Sequence, residues 1–283
     1  MLTRRRFLEI GSLTFAGSLG LSSMGRAEAS SLPGLRKSVL HLPSLPQAWD
    51  GLRILQVSDV HAGPYMTPSR MRQIRDLAGE IPTDLVVFTG DQVDRRESDA
   101  DRFVRGFSGI SAPLGVYGIL GNHDHFIDPT LSEAALAEAG IRPLVNASVV
   151  LERGGSALAL VGVDDLAARD GRGPDFGLLA QHANAYRICL CHQPQGWRNA
   201  ATAGANLTLA GHTHGGQIAL TTRNLNVARL STRYIAGPYR RDDQFLYVSR
   251  GIGVGAVPVR FGAPPEIDLL ILRRAAAAAS LAA

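Results

Sequence analysis

The 283-residue sequence predicts one α/β domain, and three observations carry that expectation. A hydrophobic content of 45% is enough to bury a full core at this length. Apolar runs of strand length recur along the chain, and segments of helical spacing fall between several of them. No internal repeat and no long linker interrupts the chain from Leu32 onward. The expected organisation is therefore an export segment over 1–29, one domain over 30–274 and a fraying Ala-rich tail over 275–283 that carries no chemistry.

The strand-length runs cover 52–57, 85–88, 116–120, 158–163, 188–191, 207–210, 245–248 and 267–272. Between the first two, Thr67-Pro68 offers an N-cap followed by proline at the first helical position, and Met71, Ile74, Leu77 and Ala78 then repeat at helical spacing. A similar pattern over 131–139 stops at Gly140, a residue suited to the left-handed turn that ends a helix. Cys189 and Cys191 lie one residue apart, where a disulfide would need a strained ring, so they read as reduced thiols packed in a strand.

The first thirty residues read as an address. Thr3-Arg4-Arg5-Arg6-Phe7-Leu8 sets a basic cluster before a mostly apolar run from Ile10 to Leu21, and Ala27-Glu28-Ala29 offers small residues for a peptidase. The stretch resembles a twin-arginine export signal, with Glu9 where a lysine is often found. The alternative is an uncleaved membrane anchor, for which the run is short and rich in Gly and Ser. The resemblance implies the twin-arginine machinery as a partner, a periplasmic or envelope location and a peripheral membrane or envelope contact. The formal charge of +4 falls to about +2 without this segment, which is no nucleic-acid footprint, and no nucleic-acid partner is expected.

The residues that can do chemistry sit directly after the apolar runs. Ser58-Asp59-Val60-His61 comes after the first, Thr89-Gly90-Asp91 after the second and Gly121-Asn122-His123-Asp124 after the third. His192 succeeds the run over 188–191, and Gly211-His212-Thr213-His214-Gly215-Gly216-Gln217 succeeds 207–210. The carboxyl ends of parallel strands lie side by side, so five such ends bring residues distant in sequence into one crevice. Asp, His and Asn together suit Mn, Fe, Zn or Co, whereas calcium would want oxygens and structural zinc would want thiolates. Seven such residues exceed the needs of one ion, while two bridged ions would use them and would clamp a phosphate.

Asp-x-His, Gly-Asp, Gly-Asn-His-Asp, a later lone His and Gly-His-x-His, in this order and each after a strand, resemble the calcineurin-like metallophosphoesterase superfamily over 51 to about 220. The resemblance implies a four-layer sandwich of two mixed β-sheets flanked by helices. It also implies two divalent ions, one held by Asp59, His61 and His214, the other by Asn122, His192 and His212, with Asp91 bridging both. His123 would be the proton donor or charge stabiliser beside the ions, and Asp124 the partner that orients His123. Asp50-Gly51-Leu52-Arg53-Ile54, Ser249-Arg250-Gly251-Ile252-Gly253 and Pro258-Val259-Arg260-Phe261-Gly262 are similar to an exported bacterial phosphodiesterase-like branch, some of whose members act on the pyrophosphate of UDP-diacylglucosamine. Purple acid phosphatases place a ligand tyrosine three residues after the Gly-Asp aspartate; here Asp94 stands there, which argues against a tyrosinate-bound ferric ion.

Other candidates keep two readings. His125 either lines the pocket or is a loop residue, His41 and His182 read as surface residues, and Asp164-Asp165 reads as a structural turn. Arg233, Arg240, Arg241, Arg250 and Arg260 could bind phosphate or be solvated, with Arg250 and Arg260 favoured for substrate or loop anchoring. Selectivity is expected in the loops over 63–67, 125–130 and 220–239. The expected activity is dinuclear metal-dependent hydrolysis of a phosphodiester or pyrophosphate by a metal-activated hydroxide, with no covalent enzyme intermediate, on an envelope or lipid-linked nucleotide-sugar substrate. The alternatives are a catalytically silent metal-binding scaffold of the same fold and a nuclease of the same superfamily.

Overall fold

A computed structural model describes residues 31–275 apart from 170, 172, 222–224 and 256–257. The expected export segment and the residues of the tail beyond 275 lie outside the described residues.

In chain order the elements are β1 (Gly34–Leu42), β2 (Arg53–Val57), α1 (Pro68–Gly79), β3 (Leu85–Thr89), α2 (Ser98–Phe107), β4 (Val116–Ile119), α3 (Asn122–Ile127), α4 (Pro129–Glu138), β5 (Arg142–Pro143), β6 (Ala147–Arg153) and β7 (Ser156–Gly162). They continue with β8 (Tyr186–Leu190), α5 (Trp197–Thr202), β9 (Leu207–Ala210), β10 (Ala219–Thr221), β11 (Leu225–Asn226), β12 (Gly237–Arg241), β13 (Gln244–Val248) and β14 (Glu266–Arg274). One six-stranded sheet runs β1-β14-β2-β3-β4-β5 and the other β12-β13-β9-β8-β7-β6. Both are mixed: β2 to β5 are parallel while β14 runs antiparallel to β2, and β7, β8, β9 and β13 are parallel between antiparallel edges β6 and β12.

The period-2 alternation of each strand divides its side chains between two cores. Ile54, Leu85, Val87, Leu158, Leu160, Ile188, Leu207, Leu209, Tyr247 and Leu270 meet Leu42 and Trp49 between the sheets. Their neighbours Leu55, Val57, Val86 and Phe88 point outward onto Met71 and Ile74 of α1, Phe103 and Phe107 of α2 and Leu136 of α4. On the far face, Ala159, Val161, Cys189 and Cys191 pack against Leu179 and against Ala200 of α5. The result is helices, sheet, sheet, helices: the four-layer sandwich the resemblance implied. Both cysteines are buried and unbridged.

Local chemistry sets the helix ends. Thr67 Oγ1 accepts from the Arg70 amide at 3.4 Å with Pro68 opening α1, and Asp128 accepts from the Thr130 and Leu131 amides with Pro129 opening α4. Residues 125–130, expected as a selectivity loop, are thus the end of one helix and the capped start of the next. Several elements escape the hydrophobic pattern, among them the short strands β5, β10, β11 and β12 and the short helices α3 and α5. β1 and β6 are half-exposed edge strands, and α2 is polar except at Ala100, Phe103, Val104 and Phe107, whose spacing of three and four is the signal that finds it.

Candidate metal centre

The parallel strands β2, β3 and β4 of one sheet and β8 and β9 of the other all end at the same edge of the sandwich, and each candidate metal ligand lies in the segment directly after one of them. The turns are stitched together by backbone: the Asp59 amide donates to the Gly90 carbonyl at 3.0 Å, the His61 amide to Asp91 at 3.0 Å and the Gly211 amide to His192 at 2.9 Å. The last bond crosses between two strand ends of one sheet, and the His212 amide then crosses to the other sheet, donating to both Asp59 carboxylate oxygens at 2.9 and 3.1 Å.

These turns hold an unfavourable backbone. Asp59, His61, Asp91, His212 and His214 have φ values of 52°, 47°, 56°, 71° and 52°, in the left-handed region that L-residues other than Asn, Asp and Gly seldom enter. Such strain, typically about 1–3 kcal/mol per residue, persists where surrounding structure fixes it and a site benefits from it. The glycines beside them are sterically required. A Cβ on Gly211 would overlap Ser58 Oγ and Asp59 Oδ2, and one on Gly251 would lie 2.6 Å from Asp59 Cβ.

Two donor sets result. Asp59, His61 and His214 each present one donor atom within 4.8 Å of the others, and so do Asp91, His192 and His212. Asn122 joins the second set, its Oδ1 lying 2.8 Å from His212 Nδ1 and 3.2 Å from His192 Nε2. Asp91 lies between the sets. Its Oδ1 accepts the His123 amide at 2.8 Å, while Oδ2 is 3.3 Å from His192 Nε2 and 3.5 Å from His61 Nε2. His61, Asp91 and His123 form a third close group, so His123 also stands within ligand distance.

Second contacts fix the rings. His192 Nδ1 lies 2.7 Å from the Thr89 carbonyl, which can only accept, so Nδ1 carries a proton and Nε2 is the ring nitrogen turned toward Asp91 and Asn122. His123 Nδ1 donates in the same way to the Asp94 carbonyl at 2.7 Å. Asp94 is the position that sequence reasoning read only for its lack of a tyrosine: its carboxylate stands 3.5 Å from His61 Nδ1. The signal available was an aspartate three residues after the Gly-Asp motif.

The electrostatics fit a cation. Burial opposes charge on Asp91, but the adjoining His192 and His61 hold its carboxyl well below the usual range. Against their own burial, His192 is raised well above its ordinary value by Asp91, and His61 is raised by Asp94, Asp91 and Asp59. Burial, then His61 and Arg260, push His214 well below its ordinary value, and burial with His192 lowers His212. In each set one imidazole is shifted upward beside buried carboxylates and its neighbour is shifted downward. Buried carboxylates grouped with imidazoles favour a cation, and an oxygen and imidazole donor set without thiolate suits Mn, Fe, Zn or Co.

Several expectations change here. The Asp124 carboxylate accepts from the Gln92, Val93 and Gly121 amides and clamps the turns after β3 and β4; it is Asp94, and not Asp124, that bonds the His123 ring. Burial and the nearby Asp91 raise the Asp124 carboxyl to about 7. Arg260 is fully buried, its guanidinium bonded to the carbonyls of Arg250, Gly251, Gly253 and Ala263, so it anchors a loop and does not face substrate. Arg250 pairs with Glu266 at 3.0 Å, and His125 pairs with Asp164 at 2.6 Å. Asp165 accepts from Ala167 and Gln193, as a structural turn would, and His182 bonds Ser148.

Comparison with known proteins picks out the same motifs. Residues 52–216 match the calcineurin-like phosphoesterase family. The chain is 29% identical over 286 residues to the uncharacterized metallophosphoesterase YkuE of Bacillus subtilis, covering 96% of this chain and 98% of that protein. It is also 29% identical over 286 residues to the phosphodiesterase YaeI of Escherichia coli, covering 96% and 100%. A transmembrane protein with a metallophosphoesterase domain from Bos taurus is 31% identical over 275 residues; this chain spans 60% of its length. Among the described residues of this chain no helix is long and apolar enough to cross a membrane. With more than half its length matched and every motif of the match gathered at one crevice, the chain belongs to the calcineurin-like phosphoesterase family and is a phosphoester hydrolase.

Proposed function

We propose that this chain is a two-metal phosphodiesterase or pyrophosphatase of the cell envelope. The observation that carries the reading is Asp91, a single buried carboxylate whose Oδ2 is within 3.5 Å of imidazoles from both donor sets. Asp59, His61 and His214 would hold one ion and Asn122, His192 and His212 the other. Ions bound there would supply positive charge that acidifies water and offsets charge on a phosphoryl group.

The chain's own residues would supply the rest. His123 donates from Nδ1 to Asp94, which leaves Nε2 as the end that meets the oxygen leaving phosphorus. Its side chain is 21% exposed, whereas those of Asp59, His61, Asp91 and His192 are at most 2% exposed, so substrate reaches His123 from the solvent side. Diester preference draws support from the name of the Escherichia coli relative, a phosphodiesterase. Export through the twin-arginine route draws support from Arg4-Arg5-Arg6-Phe7-Leu8 and suits a protein that folds and loads metal first. Envelope or lipid-linked nucleotide sugars are the substrates that this location would offer.

Metal analysis paired with a panel of bis-p-nitrophenyl phosphate, p-nitrophenyl phosphate and UDP-diacylglucosamine tests the reading. The expected result is two ions per chain and turnover of diester or pyrophosphate above monoester with Mn, Fe, Zn or Co. One ion per chain, or no turnover of any ester with any of these metals, refutes it. Replacing Arg4, Arg5 and Arg6 together with lysine should retain the protein in the cytoplasm.

A further inference from the structure

Behind the Gly-His-x-His turn lies a second basic site that metal chemistry does not use. Arg36, Arg229, Arg233 and Arg250 line one cavity of about 450 Å³, within the range of ligand pockets, together with Gly215 and Tyr239. Among the described residues its lining contains no carboxylate. Glu266, outside that lining, pairs with two of its cations at once, Arg36 Nη1 at 3.5 Å and Arg250 Nη1 at 3.0 Å. Among the described residues neither Arg229 nor Arg233 has a carboxylate partner; Arg233 lies over the Tyr234 ring at 5.2 Å.

Topology explains why these residues, distant in sequence, converge. β1 and β12 are the edge strands on the same flank of the two sheets, and the cavity opens between them, with Arg36 on one edge and Tyr239 on the other. It touches the metal turn from behind: a Cβ on Gly215 would fall 2.8 Å from Arg250 Cγ, and Asn226 Nδ2 donates to the Gly215 carbonyl at 2.8 Å. Arg260 Nη2 links the two regions, reaching the Arg250 carbonyl at 2.9 Å and His214 Nδ1 at 3.2 Å.

Four guanidinium groups around one cavity repel one another unless an anion sits among them. Planar forks of N–H donors match the paired oxygens of phosphate, and the surplus of four guanidinium groups over Glu266 and the nearby Asp268 calls for an anion with more than one charge. We propose that this cavity binds a phosphate or diphosphate group, as a site distinct from the metal centre. The proposal does not depend on the phosphodiesterase reading, since a chain with an inert metal centre would still bind the anion here.

Calorimetric titration of the full chain with inorganic pyrophosphate, in excess EDTA so that ions do not compete, is the test. Wild type should show one saturable site. Combined Arg229→Glu and Arg233→Glu, two exposed positions, should weaken it about tenfold or more at unchanged melting temperature, and Arg36→Gln should weaken it independently. Arg105→Glu, an exposed arginine on α2, should leave affinity as it was. Sedimentation with phosphatidylcholine vesicles containing phosphatidic acid, whose phosphomonoester headgroup can carry two charges, identifies the source. Binding lost in the Arg229/Arg233 variant assigns the site to lipid headgroups, and pyrophosphate binding without vesicle binding assigns it to a soluble phosphate ester. No saturable pyrophosphate binding by wild type, or wild-type affinity in the charge-reversed variant, overturns the proposal.

Discussion

Replacing Arg260 with alanine separates two roles that its sequence position leaves open. The guanidinium is fully buried and donates to Gly253 from Nε and Nη2 at 2.8 and 2.6 Å, to Ala263 at 3.0 Å, and to Arg250 and Gly251 at 2.9 and 3.0 Å. The same segment docks on the metal turn, because the Ile252 and Gly253 amides donate to the Ser58 and Asp59 carbonyls at 3.0 and 2.8 Å. Alanine strands the carbonyls of Arg250, Gly253 and Ala263, while Gly251 keeps the Glu266 amide at 3.1 Å, and each buried polar group so stranded costs about 1–3 kcal/mol. Local relaxation and entering water recover part of this, so a net loss of about 3–5 kcal/mol is expected. For a domain of this size 1 kcal/mol shifts the melting temperature by about 2–4 °C, which puts the fall at about 6–20 °C. Burial pushes the guanidinium down to about 10, so the cation itself is costly to bury and the hydrogen bonds are what offset that cost. Methionine, which restores volume but no donor, should therefore rescue little. Circular dichroism melts of both variants, with and without metal, provide the measurement. A fall below about 2 °C combined with a raised KM would mean that Arg260 serves substrate and that the anchoring argument is wrong.

Further outcomes rest on single contacts. Asp91→Ala removes the one carboxylate near both donor sets, so metal content and turnover should be lost together; a variant that keeps two ions refutes the bridging role. His123→Ala should keep metal while losing about 10²-fold or more in kcat, and metal analysis showing a depleted centre would instead make it a ligand. Burial and the neighbouring Glu266 raise the Asp268 carboxyl from 3.8 to about 7, so the folded chain binds this proton more tightly than the unfolded one. Stability should therefore fall as pH rises from about 4 to about 7, by up to about 1.4 kcal/mol per pH unit for this proton, with Asp124 contributing in the same sense, and Asp268→Asn should reduce that slope in urea melts. An identical slope in the variant would place the linkage elsewhere.

Much of this molecule was legible because its strands are buried on both faces. The apolar runs that became β2, β3, β4, β8 and β9 needed only length and bounding glycines to be found, and the rule that parallel strand ends share one edge placed Asp59, His61, Asp91, Asn122, His192, His212 and His214 together. Edge strands β1 and β6 were not legible, because one face of each meets solvent and their sequences alternate with polar residues. Roles that depend on distance were equally hidden. Asp124 comes directly after His123 in sequence yet turns its carboxylate to three backbone amides, while Asp94, 29 residues earlier, supplies the carbonyl for the His123 ring.

The sequence by itself determined the donor set and its order, since residue identity decides which atoms can hold a hard-to-borderline cation. Tertiary structure decided the partners. Two sheets had to pack face to face before Asp91 could stand between two groups of imidazoles, before Arg260 could close on a ring of carbonyls, and before Arg36 and Arg233 could face one cavity. Donor chemistry is carried by single side chains, whereas charge compensation and hydrogen-bond satisfaction belong to neighbours that only packing brings within a few ångströms.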